Sequence, residues 1–268
     1  MTGASADSPL PNPKIALFGF QFDSCTLAQA ADRILDLVDT GEVGHYVVTP
    51  NVDHAVLLHE RPELAQIYDD ASLVVADGQP LIWASRLFGK SLPERVAGSD
   101  LVPAIFNSAR RQLSVYLFGA RSGVAESAAT YVQQRYPNVR IVGVQSPPIG
   151  FEKDPEMNAA AAALIAAAGP DILVLGLGAP KQELWAYRER HHLASKVILC
   201  AGATIDFLAG ERVRAPLWCQ RYGLEWAYRA LEEPKRMVPR YAKDATTLPL
   251  LLAKECLRIG QGARGRRS

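Results

Sequence analysis

The segment Gly178-Ala179-Pro180-Lys181-Gln182-Glu183 follows an apolar run, Ile172-Leu173-Val174-Leu175-Gly176-Leu177, and precedes a helical pattern that starts at Leu184. A buried strand that ends in Gly-x-Gly, then a Pro suited to a first helical turn, then polar residues, is how an open α/β sheet builds a ligand crevice. Backbone N–H groups at such a helix start favour an anion, typically phosphate. Lys181 would supply charge at the mouth, and Gln182 hydrogen bonding of both senses. An ordinary strand-to-helix turn has the same short pattern, so the motif needs company.

Company comes from the other strand exits. In a parallel sheet, ligands collect beyond the carboxyl ends of the strands. Polar clusters follow the apolar runs at Thr49-Pro50-Asn51-Val52-Asp53-His54, Asp77-Gly78-Gln79-Pro80, Gly119-Ala120-Arg121-Ser122-Gly123, Gly178–Glu183 and Gly202–Asp206, which gives five exits to one rim. Asp77 reads either as a helix N-cap or as a general base whose pKa is raised by partial burial. Thr49 and Asn51 either orient a sugar through hydroxyl and amide or make a strand exit with an N-cap. Asp206 either binds a ribose hydroxyl or caps a helix. His54 reads as a helix residue rather than a ligand.

The elements that must hold these residues are legible as periodicity. Strands are expected at Lys14–Phe20, His45–Thr49, Leu73–Ala76, Ser114–Phe118, Val139–Val144, Asp171–Leu175 and Lys196–Cys200. Helical patterns lie between them at Leu27–Val38, Asp53–Tyr68, Pro80–Phe88, Leu101–Arg111, Gly123–Tyr136, Pro155–Ala168, Gln182–Arg190 and Ile205–Leu208. Alternation of this kind predicts an α/β fold, a Rossmann-like and mainly parallel sheet with helices on both faces. The strands are nearly all apolar rather than alternating, as expected when both faces are covered.

Past Gly210 the character changes. Arginines and aromatics interleave (Arg212, Arg214, Trp218, Arg221, Tyr222, Trp226, Tyr228, Arg229), Pro234 and Pro239 break the helical reading, and an amphipathic stretch runs from Leu250 to Ile259. The expected organisation is a disordered tail over 1–12, an α/β domain over 13–209, a basic helical appendage over 210–259 and a disordered tail over 260–268. Residues 210–268 hold 13 Lys and Arg against 6 Asp and Glu, whereas the rest of the chain holds 16 against 22. A basic terminal segment points to an anionic partner: membrane headgroups, a polyphosphate or a nucleic acid.

Composition narrows the class further. With 268 residues, 49% of them hydrophobic, 21% charged and a net charge of +1, the chain reads as a globular protein with a large core. No apolar run approaches the ~18 residues of a membrane span. Residues 1–12 lack the basic start and apolar core of a signal peptide. The four cysteines show no C-x-x-C spacing, which argues against a zinc site or disulfide framework and fits a reducing cytoplasm. There is no Asp-x-Asp, P-loop, Gly-x-Ser-x-Gly or His-Glu-x-x-His, and Gly119-Ala120-Arg121-Ser122-Gly123, at a strand exit, lacks the full Gly-x-Gly-x-x-Gly fingerprint. The usual metal clamp for a nucleotide sugar, an NTPase site, a nicotinamide site and the commonest serine-hydrolase and zinc-protease sites therefore lack their signatures.

Taken in order, Thr49-Pro50-Asn51, Ala76-Asp77-Gly78, Glu94-Arg95-Val96-Ala97-Gly98-Ser99-Asp100, Gly178–Glu183, and Arg214-Ala215-Pro216 with Gly223-Leu224-Glu225-Trp226 and Arg240-Tyr241 resemble the WecG/TagA/CpsF family of bacterial glycosyltransferases (glycosyltransferase family 26), from about Ile15 to about Tyr241. The resemblance implies inverting transfer of a sugar from a UDP donor to a polyprenyl-diphosphate-linked acceptor at the inner face of the plasma membrane, without a metal or other cofactor. It implies Asp77 as base, Thr49, Asn51 and Gln182 around the transferred sugar, and Arg95 against the diphosphate leaving group. Gly178, Lys181 and Asp206 fall on the substrate side. The appendage would close over the site and touch an anionic membrane, with Arg214 and Arg221 on diphosphate. Relatives self-associate, although nothing in the spacing demands it. The competing reading is a non-catalytic nucleotide or nucleic-acid binder that uses the basic segment, but no recognisable nucleic-acid module accompanies the interleaved arginines and aromatics.

Overall fold

The computed structural model describes residues 13–216, 218–219 and 223–265, and its centre is a six-stranded, all-parallel sheet. The strands are β3 (His45–Val48), β4 (Leu73–Val74), β5 (Leu113–Gly119), β6 (Val139–Gln145), β7 (Ile172–Gly176) and β8 (Val197–Cys200), in the order β4-β3-β8-β7-β5-β6. Register explains the two-sided burial. Tyr46, Val48, Leu173, Leu175, Ile198 and Cys200 face one core, and Val47, Ile172, Val174, Val197 and Leu199 face the other. Both faces are covered, so the central strands β7 and β8 are apolar throughout, while the edge strand β6 carries Arg140 and Gln145.

The first expected strand is two. β1 (Lys14–Leu17) and β2 (Phe20–Asp23) form an antiparallel hairpin apart from the main sheet. Phe18 and Gly19 both have positive φ, 51° and 88°, the left-handed pair that a two-residue hairpin turn requires. The hairpin is pinned by Asp23, which accepts from Lys14 Nζ at 2.9 Å, Arg33 Nη1 at 3.0 Å and the Val74 N–H at 2.9 Å.

Helices α1 (Leu27–Thr40), α2 (Val52–Glu60), α3 (Ala65–Asp69), α4 (Gln79–Leu87), α5 (Gly98–Asn107), α6 (Val124–Arg135), α7 (Pro155–Ala168), α8 (Lys181–Glu189) and α9 (Thr204–Leu208) make the crossovers. The single helix expected over 53–68 is broken. Pro62 lacks an N–H and disfavours helical backbone at Arg61 (φ −131°, ψ 73°), so α2 stops and a 3-10 turn at Pro62–Leu64 leads into α3.

The end of the chain departs most from expectation. After α10 (Glu225–Glu232), one helix, α11, runs from Pro234 to Gly265. Pro234 stands at its first position, where a missing N–H costs nothing. Pro239 lies inside without ending it, and the helix continues past Ile259. Packing outweighs the lost hydrogen bond: Met237 and Leu251 are buried, and Lys243 pairs with Glu60 at 2.7 Å on α2. Lys90 Nζ donates to the buried Glu255 at 2.8 Å and to the Ala16 carbonyl at 2.5 Å, tying α11 to the hairpin. The expected tail over 1–12 and positions 266–268 lie outside the described residues. No helix among the described residues is long and apolar enough to cross a membrane.

Candidate active site

The five strand exits do share the carboxyl edge of the sheet, but they open into two cavities rather than one rim. Residues beyond β3 and β4, roofed by α10 and α11, enclose about 370 Å³. Residues beyond β5, β6, β7 and β8 enclose about 600 Å³.

Asp77 belongs to the first cavity. Its N–H donates to the Pro50 carbonyl at 2.8 Å, and the Val96 N–H donates to the Ala76 carbonyl at 2.9 Å, so three loops are strapped together at the end of β4. Gly78 follows with φ 142° and ψ 132°, a conformation that L side chains rarely adopt, and it occupies the N-cap position of α4. Asp77 is therefore not the cap. Among the described residues no hydrogen bond reaches its carboxylate. Burial pushes the carboxyl up to about 6, against the opposing pull of Arg95 and Arg229, with Glu225 adding to the rise and His54 opposing it.

Arg95 lines the same cavity. Its Nη2 donates to Asp100 at 3.0 Å and its Nη1 to Glu225 at 2.5 Å. Glu225 also accepts from Arg229 Nη2 at 2.8 Å. Arg240, from α11, pairs with Asp53 across the wall. The lining thus brings arginines, themselves paired with Glu225 and Asp53, near Asp77, and it is apolar towards Trp226 and Leu248.

Asn51 also lines this cavity, and it is the N-cap of α2 as well. Its Oδ1 accepts from the His54 N–H at 3.3 Å in a reciprocal capping box. The two roles that the sequence left open for Asn51 therefore coincide in one residue. Thr49 lines neither cavity, because its hydroxyl turns to the Cys200 carbonyl at 3.4 Å.

Gly178, Lys181 and Asp206 line the second cavity with Gly119, Gly202 and Arg212. Lys181 Nζ lies 3.6 Å from Glu152, and Asp206 lies 3.7 Å from Arg212 Nε. Asp206 does not cap α9, whose N-cap is Ala203. The Gly119 and Gly176 backbones pass so closely that a Cβ on Gly119 would fall 2.6 Å from the Gly176 carbonyl carbon. Pro180 precedes α8 as its N-cap, after a cis peptide bond, and the Gln182 N–H already donates to the Gly178 carbonyl at 3.0 Å.

Gln182 is not at the mouth. It is 3% exposed and lines neither cavity; its Nε2 donates to Glu183 at 2.8 Å and its Oε1 accepts from the Gly202 N–H at 3.2 Å. Arg214 is bound to Asp100 and is not part of either cavity wall, and its Nε and Nη2 are buried without a partner among the described residues. Arg221 lies outside the described residues. Sequence reasoning missed Arg229, Arg240, Tyr241 and Asp244 as cavity residues. The signal was present: Met237, Arg240, Tyr241, Asp244, Ala245 and Leu248 share one face of a continuous helix. Among the described residues, no group of three or more His, Cys, Asp or Glu side chains is arranged to hold a metal ion.

The fold is that of an α/β protein with two cavities at the carboxyl edge of a parallel sheet, the edge at which such folds bind their ligands. Residues 15–262 match the model of the glycosyl transferase WecG/TagA/CpsF family, so the chain belongs to that family and is a glycosyltransferase. Relatives include proteins named N-acetylglucosaminyldiphosphoundecaprenol N-acetyl-beta-D-mannosaminyltransferase. One from Bacillus spizizenii is 30% identical over 74% of this chain and 77% of its own. One from Staphylococcus aureus strain MRSA252 is 29% identical over 84% and 87%, and one from Bacillus subtilis strain 168 is 29% identical over 75% and 78%.

Proposed function

We propose that this enzyme moves an N-acetylmannosamine-type or glucose-type sugar from a UDP donor to a polyprenyl-diphosphate-linked glycan, with inversion at the anomeric carbon and without a metal. The observation that carries the reading is Asp77: a half-buried carboxylate with a raised pKa and no hydrogen-bonding partner among the described residues, in a cavity lined by arginines. The relatives' printed names supply the acceptor class and the sugar type.

In this reading the acceptor hydroxyl enters the smaller cavity. Asp77 takes its proton as the oxygen bonds to the anomeric carbon, and the bond from that carbon to the UDP oxygen breaks. The acceptor gains the sugar, UDP leaves as the anion, and Asp77 leaves protonated. Asn51 hydrogen-bonds the transferred sugar. The nucleotide occupies the larger cavity, where the Gly119, Gly178 and Gly202 backbones permit close approach and Asp206 can accept from ribose hydroxyls. Charge that develops on the diphosphate is met by fixed cations, Arg95, Arg229, Arg240 and Lys181, and such stabilisation is worth several kcal/mol in a water-poor site. Glu225 holds Arg95 and Arg229 side by side until the substrate anion competes for them.

Peripheral attachment to an anionic membrane belongs to the same reading. Leu231, Val238 and Leu257 are 83%, 53% and 66% exposed on the basic appendage. Each nearby Lys or Arg adds about 1 kcal/mol at an anionic leaflet.

The test is a panel of UDP-sugars offered with a short-chain prenyl-diphospho-N-acetylglucosamine and a chelator. The expected result is acceptor-dependent UDP release with one or a few donors. Absence of release with every donor, or release only after a divalent metal is restored, contradicts the reading.

A further inference from the structure

The carboxylate of Glu183 is buried, at 1% exposure, and lines neither cavity. Its Oε1 accepts from Gln182 Nε2 at 2.8 Å and lies 3.4 Å from His54 Nε2. Its Oε2 is buried with no partner among the described residues. An ionisable side chain placed this deep is costly unless its position is used.

Two branches leave it. Through Gln182 Oε1 one branch reaches the Gly202 N–H, on the wall of the larger cavity. Through His54 the other reaches Asn51, on the wall of the smaller one. His54 is 6% exposed, its ring stands edge-on to Tyr68 at 6.3 Å, and its Nδ1 lies 2.7 Å from Asn51 Oδ1 and 3.2 Å from the Asn51 N–H. With the proton on Nδ1 the ring donates to Oδ1. With the proton on Nε2 it donates to Glu183 and accepts from the Asn51 N–H. Only with a proton on each nitrogen does the ring donate to Asn51 Oδ1 and to Glu183 Oε1 at once, and that is the form that joins the two residues.

The consequence falls on the Asn51 amide. Oδ1 is engaged inward by the His54 N–H as well, so Nδ2 is the branch left for a ligand, and nothing among the described residues accepts from it. Without the ring, only the 3.3 Å cap from the His54 N–H would keep Oδ1 inward, and an Asn that flipped would present its oxygen instead, turning a donor into an acceptor beside Asp77.

Resting on the glycosyl-transfer reading, we infer that His54 and Glu183 are positioning residues, which fix the Asn51 amide with its N–H groups towards the reacting sugar and tie that orientation, through Gln182, to the Gly202 edge of the nucleotide cavity. Neither residue touches substrate. Their effect passes through Asn51, so it disappears when Asn51 is gone.

A double-mutant cycle reads this dependence. Asn51→Ala and His54→Phe, which keeps a ring but no ring nitrogen, are each expected to lower kcat by about 10- to 100-fold, the scale of one hydrogen bond to a developing charge. UDP affinity should stay within about twofold. The double variant should be no slower than the slower single one. A double variant whose losses multiply, or His54→Phe at the wild-type kcat, overturns the inference. If His54→Phe does not fold, the isosteric Glu183→Gln replaces it in the same cycle with the same criteria. A second readout needs no activity: the Asn51 side-chain NH2 resonances of ligand-free protein should shift or broaden in both Glu183→Gln and His54→Phe, and unchanged resonances in both overturn the inference. If the wild-type protein transfers no sugar, the functional reading fails, and this spectrum still decides the tether.

Discussion

Two carboxylates at opposite ends of the same sheet have been treated in opposite ways. Asp171 stands at the amino edge, just before β7, and is fully engaged: Arg111 reaches both of its oxygens at 2.9 and 3.0 Å, Lys196 donates at 2.8 Å, and the Ser114 N–H and hydroxyl add bonds at 2.9 and 3.0 Å. Burial alone would raise its pKa, but these donors hold it well below the usual carboxylate range. Asp77, just beyond the carboxyl end of β4, has cations near but no donor attached among the described residues, and burial lifts it to about 6. The first joins the starts of β5, β7 and β8. The second is left in a state that costs stability and suits proton transfer, as expected where binding and catalysis occupy the carboxyl edge of a parallel sheet.

Exchanging each carboxylate for its amide should separate the two roles. Asp77→Asn should lower kcat by about 10²- to 10⁴-fold, the range for a general base, with the fold intact. Its effect on stability follows from the raised pKa. Below the ordinary carboxylate pKa of ~4, Asp77 is protonated folded or unfolded, and the wild type carries no penalty. Between about pH 4 and 6 the unfolded chain releases this proton while the folded one keeps it, so folded wild type loses ground until the full penalty is reached above about 6. Thermal melts should find Asp77→Asn more stable by about 2 kcal/mol at pH 8 and equal at pH 4. A variant less stable at pH 8 would mean that the carboxylate has a structural partner.

Asp171→Asn should do the reverse, costing about 2–4 kcal/mol at pH 7 because Arg111 and Lys196 lose their acceptor, while kcat of the folded fraction stays within about twofold. Here the folded pKa is depressed. The wild-type advantage is complete above the ordinary pKa and is lost as pH falls through the folded one, so the two proteins should converge in acid. Denaturant unfolding at pH 7 and pH 3 measures the gap, and a gap that widens in acid would contradict the assigned sign.

The contrast between these ends also shows what a sequence can carry. Strand exits are local, so Asn51, Asp77 and Lys181 were found by looking just past apolar runs, and all three line cavities. Direction is not local. Thr49 and Gln182 occupy equivalent exits, yet their side chains turn to the Cys200 carbonyl and to Glu183. Only the neighbouring strand order decides which way they face. The hairpin turn at Phe18-Gly19 carries no Asn-Gly or Asp-Gly signal, which is why one strand was expected where two form.

The appendage was misread for a different reason. Pro239 breaks a helix by propensity, and a reading that stops there cannot place Arg240, Tyr241 and Asp244 on one face with Leu248. The lost hydrogen bond is outweighed by contacts to Glu60 on α2 and to the Ala16 carbonyl in the hairpin, both more than 150 residues away in sequence. Of the arginines expected on diphosphate, Arg214 is held by Asp100 away from both cavity walls, while Arg229 and Arg240 stand on the wall of the smaller one.

The pH dependence of kcat/KM for sugar transfer, measured from pH 4.5 to 8.5 with wild type and Asp77→Asn side by side, bears most directly on the proton acceptor. A buried base at position 77 requires wild-type kcat/KM to rise about tenfold per pH unit below about 6 and to level off above it, with that limb missing from the residual activity of the variant. A wild-type profile that is flat through pH 6, or the same limb in both proteins, would show that another group takes the proton.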